Sequence, residues 1–159
     1  MRFFRVSLLL LCLAVLFSSC GKKARDDLRA DEIEAVLLTA VDTPEFYIPC
    51  SHRYLLSVFP FSSDVRECSV YRDASSTMNE FGVYACSSPA EAQALALQLT
   101  DGIRARYDAF DDRYFTEEKE KYKNAVVKNI GRYVYYGILG EEEQKKITNL
   151  FIQKVYGDI

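Results

Sequence analysis

The seven residues Ser87 to Gln93, SSPAEAQ, constrain the fold more than any other stretch, because three helix-start signals coincide there. Ser88 suits the N-cap, Pro89 suits the first helical position, and Glu91 completes a capping box three residues after the serine. An apolar stripe follows at Ala92, Leu95, Leu99, Ile103, Tyr107, Phe110 and Tyr114. The spacing predicts one helix from Pro89 to Tyr114, about 39 Å long at 1.5 Å per residue. A helix with one apolar stripe needs a surface to lie on, and the runs on either side of it supply one.

Upstream, VRECSVY and EFGVYAC are rich in Val, Tyr and Phe and read as strands, with RDASSTMN as the turn between them. Downstream, AVVKNIGRYVYYGI offers two more strands about a turn at Asn129 to Gly131. A first helix is predicted from Asp31, where Ile33, Val36, Leu37, Ala40 and Val41 recur at helical spacing until Thr43-Pro44 ends the run. A last helix begins near Glu141, with Glu141, Glu142 and Glu143 favourable in its first turn and Ile147, Leu150, Phe151 and Val155 as its face. Gly157 is its expected stop. Residues 45 to 63 fit neither period and read as irregular, with a short helix or strand around Leu55 to Phe59. The order α-β-β-α-β-β-α predicts an α+β domain: a four-stranded antiparallel sheet with helices packed on one face.

The N-terminus carries a different message. Arg2 and Arg5 precede an apolar run from Val6 to Phe17, then Ser18, Ser19 and Cys20. That is the positive, apolar, small-residue order of an export signal, and the run is shorter than the roughly 20 residues a permanent span needs. A cysteine directly after the small pair resembles the lipobox of bacterial lipoproteins, although Phe17 stands where that motif prefers Leu. The resemblance implies diacylglycerol on the Cys20 thiol and cleavage before it; the alternative is an ordinary secretory signal followed by an unrelated cysteine. The expected organisation is a lipoprotein signal peptide over 1–19, a lipidated tether over 20–30 and a single α+β domain over 31–159. Its expected place is the extracytoplasmic face of the cell membrane, with membrane lipid as its partner through Cys20.

Loss of Arg2 and Arg5 takes the formal charge from −3 to −5, so a basic nucleic-acid footprint is absent. Lys22, Lys23, Arg25 and Arg29 near the anchor would lie close to anionic headgroups, partly offset by Asp26 and Asp27. Past Cys20, three cysteines remain at Cys50, Cys68 and Cys86, which allows at most one internal bridge in a disulfide-permissive compartment. A hairpin centred near Thr77 would set Cys68 opposite Cys86, about 4.5–5.5 Å apart at Cα and within disulfide reach. A one-residue slip would instead send the two thiols to opposite faces and leave them free.

Catalytic signals are sparse. His52 is the one histidine, so a multi-histidine metal site is excluded. Cys50 and His52 could form a thiol and base pair, against the plainer reading of a loop histidine. There is neither a glycine-rich phosphate loop nor a serine elbow, and no cofactor is expected. Asp108, Asp111 and Asp112, followed by Glu117, Glu118 and Glu120, are the densest carboxylates. Arg104, Arg106, Arg113, Lys119 and Lys121 interleave with them, which favours a solvated, mutually paired surface over a cation site. On the last strand, alternation sends Val134, Tyr136 and Ile138 to one face and Tyr133 and Tyr135 to the other. The latter pair is the candidate interaction surface, an aromatic strip suited to an envelope protein or glycan, with ordinary strand packing as its alternative.

Two stretches, NEFGVYACSSPAEAQALALQLTDGIRARYDAF and YFTEEKEKYKNAVVKNIGRYVYYGILGEEEQKKITNLF, resemble a family of small Gram-positive bacterial lipoproteins known only as a domain of unknown function. The likeness covers about residues 79–151 and rests on Glu80 entering a strand, the long helix, Tyr114, Tyr122 and Asn124 before AVV, and Gly131 and Tyr133. It implies a fold and an address but no catalytic residue or ligand. The functional expectation is a lipid-anchored, non-catalytic interaction or binding module. The alternative is a small-ligand-binding subunit or enzyme using a cleft near residues 45–63.

Overall fold

A computed structural model describes residues 22–75, 77–110 and 116–159. The expectations that fall on Cys20, the export segment, Asp111, Asp112, Arg113 and Tyr114 lie outside the described residues. The described elements are α1 (Ala30–Leu38), β1 (Tyr47–Pro49), α2 (His52–Val58), β2 (Val65–Asp73), β3 (Glu80–Cys86), α3 (Pro89–Asp108), α4 (Thr116–Lys123), β4 (Val126–Ile130), β5 (Tyr133–Ile138) and α5 (Glu141–Tyr156). The fold is α+β, as expected, with one antiparallel sheet in the order β1-β2-β3-β5-β4.

Among the described residues the sheet has five strands rather than four. The extra one, β1, comes from the segment read as irregular; it is three residues long and pairs with β2 from Tyr47↔Asp73 to Pro49↔Tyr71. Its Pro49 is tolerated because β1 lies at the sheet edge. In the same segment a 3-10 turn, Pro44–Phe46, precedes β1, and His52–Val58 forms α2, with the Ser51 hydroxyl capping it by accepting from the Tyr54 amide.

The helices cover both faces rather than one. On one face α1 and α5 pack on Phe81, Val83, Ala85, Tyr133 and Tyr135. On the other, α2 and α3 pack on Val70, Tyr84, Val134, Tyr136 and Ile138. The central strands β3 and β5 are buried along their whole length. Apart from Glu80, both parities of EFGVYAC and YVYYGI are free of charge, which is the pattern of a strand covered on both sides.

Three junctions fix the elements. Gly131 has φ +56 and opens the two-residue turn between β4 and β5, a position that type II′ turns reserve for glycine. Gly157, at φ +74, ends α5 in a Schellman motif, with Asp158 N donating to Gln153 O and Gly157 N to Lys154 O. At the start of α3 the Ser88 hydroxyl accepts from Glu91 N, but the Glu91 carboxylate accepts from Asp64 N instead of closing the box. The helix then runs for 20 residues and stops at Asp108, short of the expected Tyr114.

The tether expectation is also corrected. Leu28 is only 4% exposed, its carbonyl accepts from the Tyr133 hydroxyl at 2.8 Å, and Arg25 N donates to Val155 O at 2.9 Å. The chain is therefore docked on the domain well before residue 31. One leucine in a charged run has no periodicity to announce it.

Candidate functional site

A buried charge sits at one end of β3. Glu80 is its first residue and shares a face with Gly82 and Tyr84, the face covered by α3. It is 2% exposed. A carboxylate so placed is costly unless donors surround it, and three do. One oxygen accepts from Arg106 at 3.2 Å and from the Tyr136 hydroxyl at 2.7 Å; the other accepts from the Tyr54 hydroxyl at 2.8 Å.

Arg106 reaches Glu80 because it lies three residues after Ile103, on the buried stripe of α3. Its second terminal nitrogen donates to the Tyr122 hydroxyl at 2.6 Å. Its guanidinium lies 5.2 Å from the Phe59 ring centroid and 4.8 Å from that of Tyr122, a cation–π sandwich between α2 and α4. Burial works against the Arg106 charge, but Glu80 and the surrounding phenol oxygens outweigh it and hold the group above its ordinary range. Burial and the adjacent carboxylate push the Tyr54 and Tyr136 phenols up, so both remain donors.

Above this network opens a cavity of about 220 Å³, lined by Tyr54, Arg72, Asp73, Thr77, Met78, Asn79, Glu80, Arg106 and Tyr122. Its wall is the loop between β2 and β3, shaped by Asp73, whose carboxylate accepts from Ser75 N and the Thr77 hydroxyl. Burial raises the Asp73 pKa, yet these bonds and Lys121 more than offset it and the group is held below its usual range. Glu118 of α4 accepts from Met78 N at 2.8 Å, and Lys121 bridges Glu118 to the side-chain oxygen Oδ1 of Asn79. Arg72 stands at the mouth, exposed, 5.5 Å over the Tyr54 ring, with no carboxylate partner among the described residues. A larger groove of about 470 Å³ runs between α3 and β4, where the charged residues Arg104 and Lys123 are exposed.

The two ends of the molecule differ. Residues 22–25 dock beside the C-terminus of α5 and near the Gly131 turn, where Cys86 N also meets Arg132 O. Glu80 is at the other end of β3, about 20 Å along a seven-residue strand.

The residues singled out from sequence fare differently. Tyr133 and Tyr135 are fully buried and form no surface strip, because α1 and α5 cover their face. Tyr133 bonds to Leu28, while Tyr135 stacks on Phe151 at 5.4 Å and accepts from Gln144. Cys68 opposes Tyr84 and Cys86 opposes Val65, so the expected facing pair does not form and all three described cysteines are free. The hairpin centres on position 76 rather than Thr77, since Asp73 N closes the loop on Asn79 O, and a bulge follows between Val65 and Glu67. Burial pushes the Cys50 thiol up to about 12 and the Cys86 thiol up to about 11, far from a reactive thiolate. His52 is the first residue of α2. Glu118 and Glu120 pair with Lys121 and Lys123, and no cluster of three metal-ligating side chains occurs among the described residues. No helix among them is long and apolar enough to cross a membrane.

Sequence reasoning placed Arg106 in a solvated charged surface and drew no role for Tyr54. The available signal was the position of Arg106 on the Leu95, Leu99, Ile103 stripe, since a charge in an apolar stripe demands a buried partner. Comparison with family models, with curated proteins and with solved structures finds no match to this chain.

Proposed function

We propose that this chain is a lipid-anchored extracytoplasmic lipoprotein whose domain is a non-catalytic binding module, taking a small polar ligand in the crevice above Glu80 and Arg106. The observation that carries the reading is a buried carboxylate, Glu80, held by three donors and paired with Arg106, forming the floor of an open polar cavity. Such a floor is rigid and charged yet has its own hydrogen bonds satisfied, which suits recognition better than proton transfer. The crevice also adjoins α2, within the stretch from which a ligand cleft was expected.

The export-like N-terminus and Cys20 support the address. The docked segment supports an orientation: with the lipid on Cys20, two residues before Lys22, the crevice would face away from the membrane. A second reading, a protein-interaction module, is favoured by the exposed Phe46 and Ile48 at the β1 edge, where a partner strand could add.

The test has two arms. Cys20→Ala should release the protein from the membrane fraction or leave the precursor uncleaved, and unchanged retention with normal cleavage would refute the anchor. Small polar compounds should raise the melting temperature of the purified mature protein. Stabilisation only by captured proteins, abolished by Phe46→Ser and Ile48→Ser, would favour the second reading.

A further inference from the structure

We infer that the ligand of this crevice is a small carboxylate, held at its mouth by Arg72; the inference rests on the crevice being the binding site. The carboxylate and side-chain amide oxygens that line the crevice each already accept a hydrogen bond. Glu80 accepts three hydrogen bonds, Asp73 holds Ser75 and Thr77, and the side-chain Oδ1 of Asn79 holds Lys121.

The remaining groups are donors. Arg72 has no hydrogen-bond or ionic partner among the described residues, and its guanidinium sits over the Tyr54 ring. That stacking restrains the plane and leaves N–H groups for a two-point bond, the geometry a carboxylate matches and a neutral hydroxyl does not. Tyr122 accepts from Arg106, and its own proton has no acceptor among the described residues. A ligand that fits must therefore bring acceptors and negative charge. At about 220 Å³ the cavity lies below the roughly 300 Å³ where drug-sized pockets begin, so the acid is one of few carbon atoms.

The probes are acetate, succinate and inorganic phosphate, titrated calorimetrically at matched ionic strength into purified mature protein, with a neutral polyol series as control. The expected result is binding of acetate or succinate that Arg72→Ala weakens about tenfold or more, as loss of a charge-assisted hydrogen bond does, with Arg72→Lys intermediate. Arg72 is exposed, so both variants should keep the native melting temperature. Tighter binding of phosphate than of either acid, or carboxylate binding unchanged in Arg72→Ala, would overturn the assignment. Polyol binding mapped to the crevice and indifferent to Arg72 would overturn it while leaving the crevice reading in place. Absence of any binding by all probes would remove both.

Discussion

Arg106 of the long helix and Glu80 of the central strand meet at 3.2 Å in a site where the Glu80 side chain is only 3% exposed. Breaking a buried pair from one side leaves an uncompensated charge, which costs about 3–5 kcal/mol. Arg106→Met should therefore destabilise the domain by about that amount in urea unfolding. The double variant Glu80→Gln with Arg106→Met should recover part of the loss. A single-variant effect below about 1 kcal/mol would show that water reaches Glu80.

Glu34 of α1 is buried against β2, with one oxygen 3.4 Å from the Ser69 hydroxyl and the other without a partner among the described residues. Burial raises its pKa from 4.5 to about 8. Between those values the folded protein keeps a proton that the unfolded chain releases. Stability should fall as pH rises from 4.5 to about 8 and level off above it. Glu34→Gln should remove that slope and, above pH 8, exceed the wild type by more than about 1 kcal/mol. Guanidinium titrations across this range provide the measurement, and equal slopes in the two proteins would contradict the placement.

Leu28 separates a docked N-terminal segment from a free tether. Leu28→Ala should cost about 2–5 kcal/mol, the usual range for a buried leucine. A residue in a solvated tether would change stability by no more than about 0.5 kcal/mol. Thermal unfolding of the mature protein distinguishes the two.

Cys50, Cys68 and Cys86 should all alkylate in denaturant without prior reduction, and only slowly in the native state, where burial raises each thiol pKa. Peptide mass mapping reads this directly. Recovery of a Cys68–Cys86 bridged peptide would contradict the hairpin register.

The pattern of apolar spacing carried most of the fold. The start of the long helix, the Gly157 stop, the two hairpins and the core stripes Leu95, Leu99, Ile103 and Ile147, Phe151, Val155 were legible because period and cap signals agreed there. What failed needed long-range information. A three-residue edge strand is too short to show a period, and Leu28 is buried by contacts with residues more than a hundred positions away. Tyr133 and Tyr135 looked like a surface because one covered face was assumed. The site was less legible still, since Glu80, Arg106, Tyr54, Tyr122 and Tyr136 come from five separate elements and only folding brings them together.

The most direct test of the binding crevice is amide chemical-shift mapping of the isotope-labelled mature protein against a set of small acids, polyols and amino acids. The account predicts shifts confined to Tyr54, the Arg72 to Gly82 stretch, Arg106 and Tyr122, saturating with ligand. Shifts centred on Phe46 and Ile48 at the β1 edge, or no saturable shift with any compound, would contradict it.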